Sequence, residues 1–183
     1  PSQRRSIVAL SELHHSNPFL EERIVREREA LGSDYRDAPT VRTALDYEKD
    51  HNLKLLGEKS EQETSRMRQL LLDGAEASDA ELAIYENLVL YLLYRRYRFE
   101  LEGTIHESAQ NRSARLRIRF WDRFLGDCNR FLVLPGRRLP TGRDPAHLLA
   151  DCFQFSRSLA HTFNNIIGTS ARTAKLRAGV WQS

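Results

Sequence analysis

Residues 78–103, which read SDAELAIYENLVLYLLYRRYRFELEG, constrain the fold more than any other stretch of this chain. Ser78 and Glu81 have the spacing of a capping box, which satisfies free amides at a helix start, and Gly103 is typical of a helix end. The apolar residues between them lie in nearly every direction around a helix, which predicts burial on all sides. Charged residues interrupt this run well before the roughly 20 apolar residues that a membrane span needs. We therefore predict an all-α, multi-helix bundle around this central buried helix.

The composition agrees with a helical fold outside the membrane. Glycine (9) and proline (6) are sparse among the 183 residues, which favours helix over sheet. Cys128 and Cys152 are too few for a disulfide framework, and their apolar neighbours predict buried thiols in a reducing compartment. The N-terminal residues lack an apolar run long enough for a signal peptide. These features predict a cytoplasmic protein that has no contact with a membrane.

Helical periodicity predicts further helices on both sides of the central one. Asn17-Pro18 and Asp144-Pro145 are typical helix starts, Gly32 is a typical end, and Gly57 is expected to break or kink its helix. Residues 104–112 are polar and are expected to form a loop. The predicted helices cover residues 18–31, 40–56, 58–73, 113–134 and 145–163 and a segment capped by Ser170, with a short helix or packed arm in residues 1–16.

Arginines are concentrated in residues 112–143, where Asp122 and Asp127 are the only acidic residues. Such asymmetry can indicate a nucleic-acid surface, but no recognised nucleic-acid motif accompanies it. In the predicted helix 113–134 most arginines lie opposite the aromatic residues, which favours a core helix with a solvated or docking face. Arg117 falls among the apolar residues and is expected to need an acidic partner. The loop LPGRRLPTGRD that follows is predicted to be exposed and cationic, and the chain contains no phosphate-loop motif.

Glu48 and His51 are weak candidates for a metal site. Glu-x-x-His on the inner face of a helix is half of a carboxylate-bridged metal centre in bundles. The chain offers no convincing second half, so a hydrogen-bonded polar pair is the favoured interpretation and no metal site is assigned. His14 and His15 are predicted to be solvated histidines near a terminus. No catalytic residue is assigned, because no Ser/His/Asp or Cys/His signature is present.

The end of the chain reads FNNIIGTSARTAKLRAGVWQS. Phe163, Ile166, Ile167, Gly168 and Ser170 resemble the opening of the central ATPase domain of bacterial sigma-54-dependent transcription activators, a branch of the AAA+ proteins. That domain begins with an aromatic residue, two aliphatic residues and a glycine, and then a serine before a helix. The match covers about a tenth of the chain.

The resemblance implies a regulatory or sensor domain in residues 1–162, followed in 163–183 by a linker and the start of a truncated AAA+ domain. It implies that Ile166, Ile167 and Gly168 line the adenine side of an ATP pocket whose phosphate loop lies beyond Ser183. ATP and magnesium would be cofactors of the parent protein and not of this fragment, which is not expected to be an enzyme. The implied partners are the downstream AAA+ domain, further copies in a homo-oligomer, sigma-54 RNA polymerase and DNA, with an unidentified signal ligand or protein.

A second resemblance overlaps the first. Residues 159–165, LAHTFNN, are similar to the phosphoacceptor box of sensor histidine kinases, in which His161 would carry the phosphoryl group. Thr162 departs from the acidic residue that usually follows the histidine in that family. The remaining alternatives are a stand-alone helical adaptor or scaffold and a bundle-type metal- or ligand-binding protein. In each case the aromatic-rich helices form either plain core packing, which is favoured, or a ligand cavity or dimer face.

Overall fold

The computed structural model describes residues 2–37, 50–110, 117–168 and 170–182, and these residues form seven α-helices and no strand. The prediction of an all-α, multi-helix bundle is confirmed. None of the described helices is long and apolar enough to cross a membrane. A short 3-10 turn, Gly32–Asp34, follows the second helix. The helices are α1 Ser2–Glu12, α2 Glu21–Leu31, α3 His51–Leu72, α4 Asp79–Gln110, α5 Trp121–Leu132, α6 Pro145–Asn165 and α7 Ala171–Gln182.

The central helix α4 contacts α1, α3, α5 and α6. It contributes to two clusters of buried side chains, one shared with α5 and α6 and one shared with α1, α2 and α3. Tyr85 and Leu93 belong to the first cluster, whereas Leu88 and Tyr91 belong to the second. An apolar surface on all sides is therefore what this helix needs, because other helices pack on opposite faces of it.

The two ends of α4 differ in how well the sequence predicts them. At the start the capping box forms, since the amide and hydroxyl of Ser78 donate to Glu81 Oε2 and the amide of Glu81 donates to Ser78 Oγ. At the end the prediction is wrong, because the helix passes through Gly103 and continues to Gln110. Thr104, directly after the glycine, is buried and donates its hydroxyl to the Glu100 carbonyl. Packing at this position outweighs the cost of about 1 kcal/mol for a glycine inside a helix.

The described part of α3 is continuous through Gly57, so the predicted break there is also wrong. A Cβ atom at Gly57 would lie 2.6 Å from Nη2 of Arg95, which itself donates to the Leu53 carbonyl. The glycine is therefore explained by the close approach of α4 and not by a turn. Residues 40–49 of the predicted preceding helix lie outside the described residues.

The predicted helix 113–134 is shorter than expected. Residues 111–116 lie outside the described part of the chain. The helix α5 begins only at Trp121, after a turn in which the amide of Trp121 donates a hydrogen bond to the carbonyl of Ile118. Arg117 precedes the helix and is exposed, so the expectation that it needs an acidic partner in the interior is wrong. Arg123 and Arg130 are exposed on α5, as a solvated face requires.

The remaining helix boundaries follow local chemistry. Asp144 accepts a hydrogen bond from the Ala146 amide and caps α6, as predicted. Asn17 does not cap α2, which begins four residues later at Glu21. Gly32 ends α2 with a φ of 60°, a conformation that glycine adopts without strain.

Candidate ligand cavity

A cavity of about 260 Å³ lies where α4 and α6 meet the segment between α1 and α2. Its lining combines apolar and aromatic side chains with a few charged or titratable ones, which is the usual composition of a small-molecule site. A cavity of about 150 Å³ is large enough to hold benzene, so this one has room for a ring-sized ligand with a polar substituent. The lining residues are Leu13, His14, His15, Pro18, Arg23, Tyr91, Tyr94, Arg143, Leu148, Asp151, Cys152 and Phe155.

The segment between α1 and α2 forms one wall of the cavity. The chain leaves α1 in a turn in which the amide of His15 donates to the carbonyl of Glu12. The side-chain oxygen of Asn17 accepts from the amide of Phe19 at 3.0 Å. The side-chain nitrogen of Asn17 donates to the carbonyl of Ala178 at 3.2 Å, which ties this wall to α7.

Two tyrosines of α4 form the floor of the cavity. Tyr91 is only 3% exposed, and its hydroxyl has no hydrogen-bond partner among the described residues. Tyr94 packs edge to face against Phe155 of α6, with ring centroids 4.7 Å apart. An unpaired buried hydroxyl has a free-energy cost.

One face of α6 forms the opposite wall. Leu148, Asp151, Cys152 and Phe155 have the i, i+3, i+4, i+7 spacing of a single helix face, and all four line the cavity. Burial raises the pKa of the Cys152 thiol to about 12, so this cysteine stays an uncharged, poorly nucleophilic side chain at neutral pH. Cys128 is also buried, as predicted for both cysteines.

His14 contradicts the prediction that both N-terminal histidines are solvated. Its ring is partly buried, whereas His15 is exposed and its Nε2 lies 3.2 Å from Oδ1 of Asn87. Burial, together with the positive charges of His15, Arg143 and Arg23, lowers the pKa of His14 to about 3. The imidazole is therefore neutral at physiological pH, and within the described residues it makes no hydrogen bond. The segment after α1 folds onto the bundle through contacts with residues that are distant in the sequence. Nearness to the N-terminus therefore does not predict how exposed its side chains are.

Two arginines line the cavity, and they differ in burial and in hydrogen-bond partners. Arg23 is buried and donates to Glu27 at 2.9 Å and to the Leu13 carbonyl at 2.6 Å. Arg143, which precedes α6, is partly exposed and donates from Nη1 to Asp151 at 2.9 Å. Arg23 is thus already paired in the interior, while Arg143 lies at the mouth of the cavity with an exposed acidic partner.

The residues assigned by the sigma-54 resemblance lie away from the cavity, between α6 and α7. Ile166 ends α6, and its carbonyl accepts two hydrogen bonds from Arg177, from Nε at 3.1 Å and from Nη2 at 2.7 Å. Ile167 is 88% exposed, and Gly168 has a φ of 139° that favours glycine. The Arg177 side chain is itself buried beneath the junction.

The other residues singled out from the sequence do not join a common site. Glu48 lies outside the described residues, and His51 begins α3 instead of lying within a longer helix. Across residues 2–37, 50–110, 117–168 and 170–182 no group of His, Cys, Asp and Glu side chains is arranged to hold a metal ion. His161 is exposed on α6, outside the cavity lining.

The sequence assigns none of the cavity residues to a binding site. One signal was present, because Asp151 interrupts the otherwise apolar stripe formed by Leu148, Cys152 and Phe155 on α6. The partners of this stripe on α4 and on the segment after α1 come from distant parts of the chain. Comparison of the chain with protein-family models, curated proteins and solved structures found no match.

Proposed function

We propose that this chain is a ligand-responsive regulatory domain of a sigma-54-dependent transcription activator. In this proposal the cavity receives the signal, and α7 carries the response to a downstream AAA+ ATPase. Two features support it: the resemblance of residues 163–170 to the start of that ATPase domain, and the direct contacts between the cavity walls and α7. ATP, magnesium, sigma-54 RNA polymerase and DNA would then be bound by other parts of the parent protein.

The observation that carries the proposal is that a cavity residue touches α7. Phe155 lines the cavity, and its ring packs edge to face against Trp181 with centroids 4.9 Å apart. The opposite wall reaches the same helix through the hydrogen bond from Asn17 to Ala178. A ligand that moves either wall therefore changes the surface on which α7 packs.

Regulation requires two conformations of the domain that differ in the packing of α7 and bind the ligand with different affinities. A ligand shifts the equilibrium between two conformations only by the difference between its binding free energies for them. Leu176 and Val180 are 58% and 50% exposed on α7, and Ile167 is 88% exposed before it. These apolar side chains support a role for the junction in contacting another segment or another copy. The adenine contacts proposed for Ile166, Ile167 and Gly168 would be made in the same region.

The first test is to read the gene beyond the codon for Ser183. We expect a phosphate-loop motif within a few tens of codons and a helix-turn-helix further on. The second test compares the longer protein with a version that lacks residues 1–160, measuring ATP hydrolysis and oligomerisation. We expect the deletion to change one or both of these properties. Identical behaviour of both proteins under all conditions would contradict a regulatory role.

A histidine phosphoacceptor is a second candidate function, favoured by the exposure of His161 on α6. In a phosphotransfer assay with a kinase domain, His161→Ala would abolish labelling of the chain if this function were correct. His147→Ala is the matched control, because His147 is an exposed histidine on the same helix. Labelling that survives His161→Ala would exclude the phosphoacceptor role.

A further inference from the structure

We infer that the cavity binds a small organic carboxylate, whose charged group is held by Arg143 and His14 and whose apolar part lies between α4 and α6. This inference rests on the proposed function as a ligand-responsive domain and names the chemical class of the ligand. It depends on the balance of hydrogen-bond donors and acceptors in the cavity, on the position of the apolar wall and on the available volume.

The lining residues of the cavity offer more hydrogen-bond donors than acceptors to pair with them. Arg143 donates to Asp151 from Nη1, which leaves the other nitrogens of its guanidinium for a second acceptor. His14 has no hydrogen-bond partner within the described residues, and its ring offers one N–H when neutral. Arg143 and His14 come from different elements of the fold, so two donors with spare hydrogen-bonding capacity line one small space.

Acceptors are scarce by comparison. Among the described lining residues Asp151 is the one carboxylate, and it is 63% exposed and already engaged by Arg143. A cationic ligand would meet Arg143 and Arg23 without a free buried acid to pair with. An anionic ligand instead supplies the acceptors that the donors lack, and a planar guanidinium binds a carboxylate through two parallel hydrogen bonds.

The apolar wall distinguishes an organic carboxylate from an inorganic anion. Leu148, Phe155 and Tyr94 present hydrocarbon and aromatic surface beside the donors. This surface would remove water from phosphate or sulfate without any favourable contact in return, whereas it buries the apolar part of an organic acid. The volume of about 260 Å³ limits that part to about the size of an aromatic ring or a short alkyl chain.

Binding of a carboxylate would act at the start of α6. The ligand competes with Asp151 for Arg143, and Arg143 directly precedes the capping residue Asp144. The same helix bears Phe155, which contacts Trp181 on α7. When Arg143 changes its hydrogen-bond partner, the effect can therefore pass along α6 to Phe155 and alter the packing of α7.

The experiment titrates the 183-residue chain with two acids and their neutral amides, using calorimetry and thermal unfolding. The acids are benzoate and hexanoate, and the amides are benzamide and hexanamide. We expect at least one acid to bind saturably and raise the melting temperature, with its amide about tenfold weaker or more, since a charge-assisted hydrogen bond is lost. If neither acid binds up to about 10 mM, or if each amide binds as well as its acid, the inference is overturned.

Two variants of the same loop locate the site. Arg143→Gln should weaken binding of the acid about tenfold or more, because it removes the guanidinium. Arg138→Gln makes the same change at an exposed arginine outside the cavity and should leave binding unchanged. Equal effects of Arg143→Gln and Arg138→Gln would overturn the inference, because they would indicate a general charge effect.

The proposed function is tested without any added ligand, by deletion of residues 1–160 from the longer protein. A deletion that alters ATP hydrolysis, together with no binding of either acid, would overturn the ligand class alone. Binding of an acid that depends on Arg143, together with no effect of the deletion, would support the carboxylate site and contradict the regulatory role.

Discussion

Phe155 and Trp181 pack edge to face, with ring centroids 4.9 Å apart, and this contact joins α6 to α7. Phe155 makes a second edge-to-face contact with Tyr94 of α4 at 4.7 Å. The ring therefore lies between the central helix and α7 and also lines the cavity. Edge-to-face pairs are favoured by the quadrupoles of the rings, so each contact fixes the relative orientation of the two rings in addition to burying apolar surface.

We expect Phe155→Leu to destabilise the chain by about 1–3 kcal/mol, because two aromatic pairs of about 0.5–1.5 kcal/mol each are lost. Denaturant unfolding measures this change. Phe153→Leu is the matched control, since Phe153 is partly buried against the same cluster and makes no described ring contact. In a Trp121→Phe background, the fluorescence of Trp181 should shift to longer wavelength in Phe155→Leu. An unshifted spectrum would show that α7 does not depend on this ring.

Two tyrosines of α4 provide a second prediction. Tyr85 is fully buried and donates its hydroxyl to the Phe131 carbonyl of α5 at 2.7 Å. The buried hydroxyl of Tyr91 has no partner in the part of the chain that the structure describes. Tyr85→Phe should cost about 1–3 kcal/mol, because it leaves a buried carbonyl unsatisfied. Tyr91→Phe removes an unsatisfied group and should be neutral or stabilising. The two free energies of unfolding, measured side by side, test this contrast, and equal losses would contradict it.

The fold could be predicted from the sequence to the extent that local patterns determine it. The capping box at Ser78, the helix start at Asp144 and the burial of the central helix all depend on neighbouring residues and are confirmed. The helix break predicted at Gly57 and the helix end predicted at Gly103 are wrong, because tertiary packing decides the conformation there. Gly57 packs against α4, and Gly103 lies next to the buried Thr104. Propensity is a weak guide wherever tertiary contacts compete with it.

The candidate site could not be predicted, for a related reason. Its walls come from the segment after α1, from α4 and from α6, and no short motif connects them. His14 becomes partly buried only when this segment folds back onto the bundle. The contact between Asn17 and Ala178 joins positions near opposite ends of the printed sequence. Such spatial neighbours cannot be read from periodicity along one helix.

The partly buried imidazole of His14 makes stability depend on pH. Its pKa is about 3 in the folded chain, against the ordinary histidine value of 6.5, so between these values the unfolded chain binds a proton that the folded chain does not. Stability should therefore fall as pH decreases from about 6.5, by up to about 1.4 kcal/mol per pH unit from this group. The charged groups around it, His15, Arg23, Arg143 and Asp151, remain in place in a His14→Gln variant.

The measurement compares free energies of unfolding of the parent chain and His14→Gln between about pH 7.5 and 4.5. The variant should lose less stability on acidification, and the difference between the two chains should be constant above about pH 7. Contributions from carboxylates cancel in that difference to a good approximation. Parallel curves over the whole range would show that His14 takes up its proton equally in both states.

Arg177 secures the junction between α6 and α7. It is 3% exposed, donates two hydrogen bonds to the Ile166 carbonyl, and lies with its guanidinium carbon 4.8 Å from the centroid of the Phe163 ring. Lysine keeps the charge but lacks the planar fork that makes these contacts together. Arg177→Lys should therefore release α7 while the rest of the bundle stays folded.

Amide hydrogen exchange tests this release helix by helix. In Arg177→Lys the amides of α7 should exchange about tenfold faster or more, as expected for the loss of one charge-assisted hydrogen bond. The amides of α4, which exchange only when the whole bundle unfolds, should be accelerated by no more than the same factor, because the lost contact stabilises the folded chain against every state in which α7 is released. Arg172→Lys is the matched control, since Arg172 is exposed on the same helix. If both variants exchange alike in α7, the junction is held by its apolar contacts and not by Arg177.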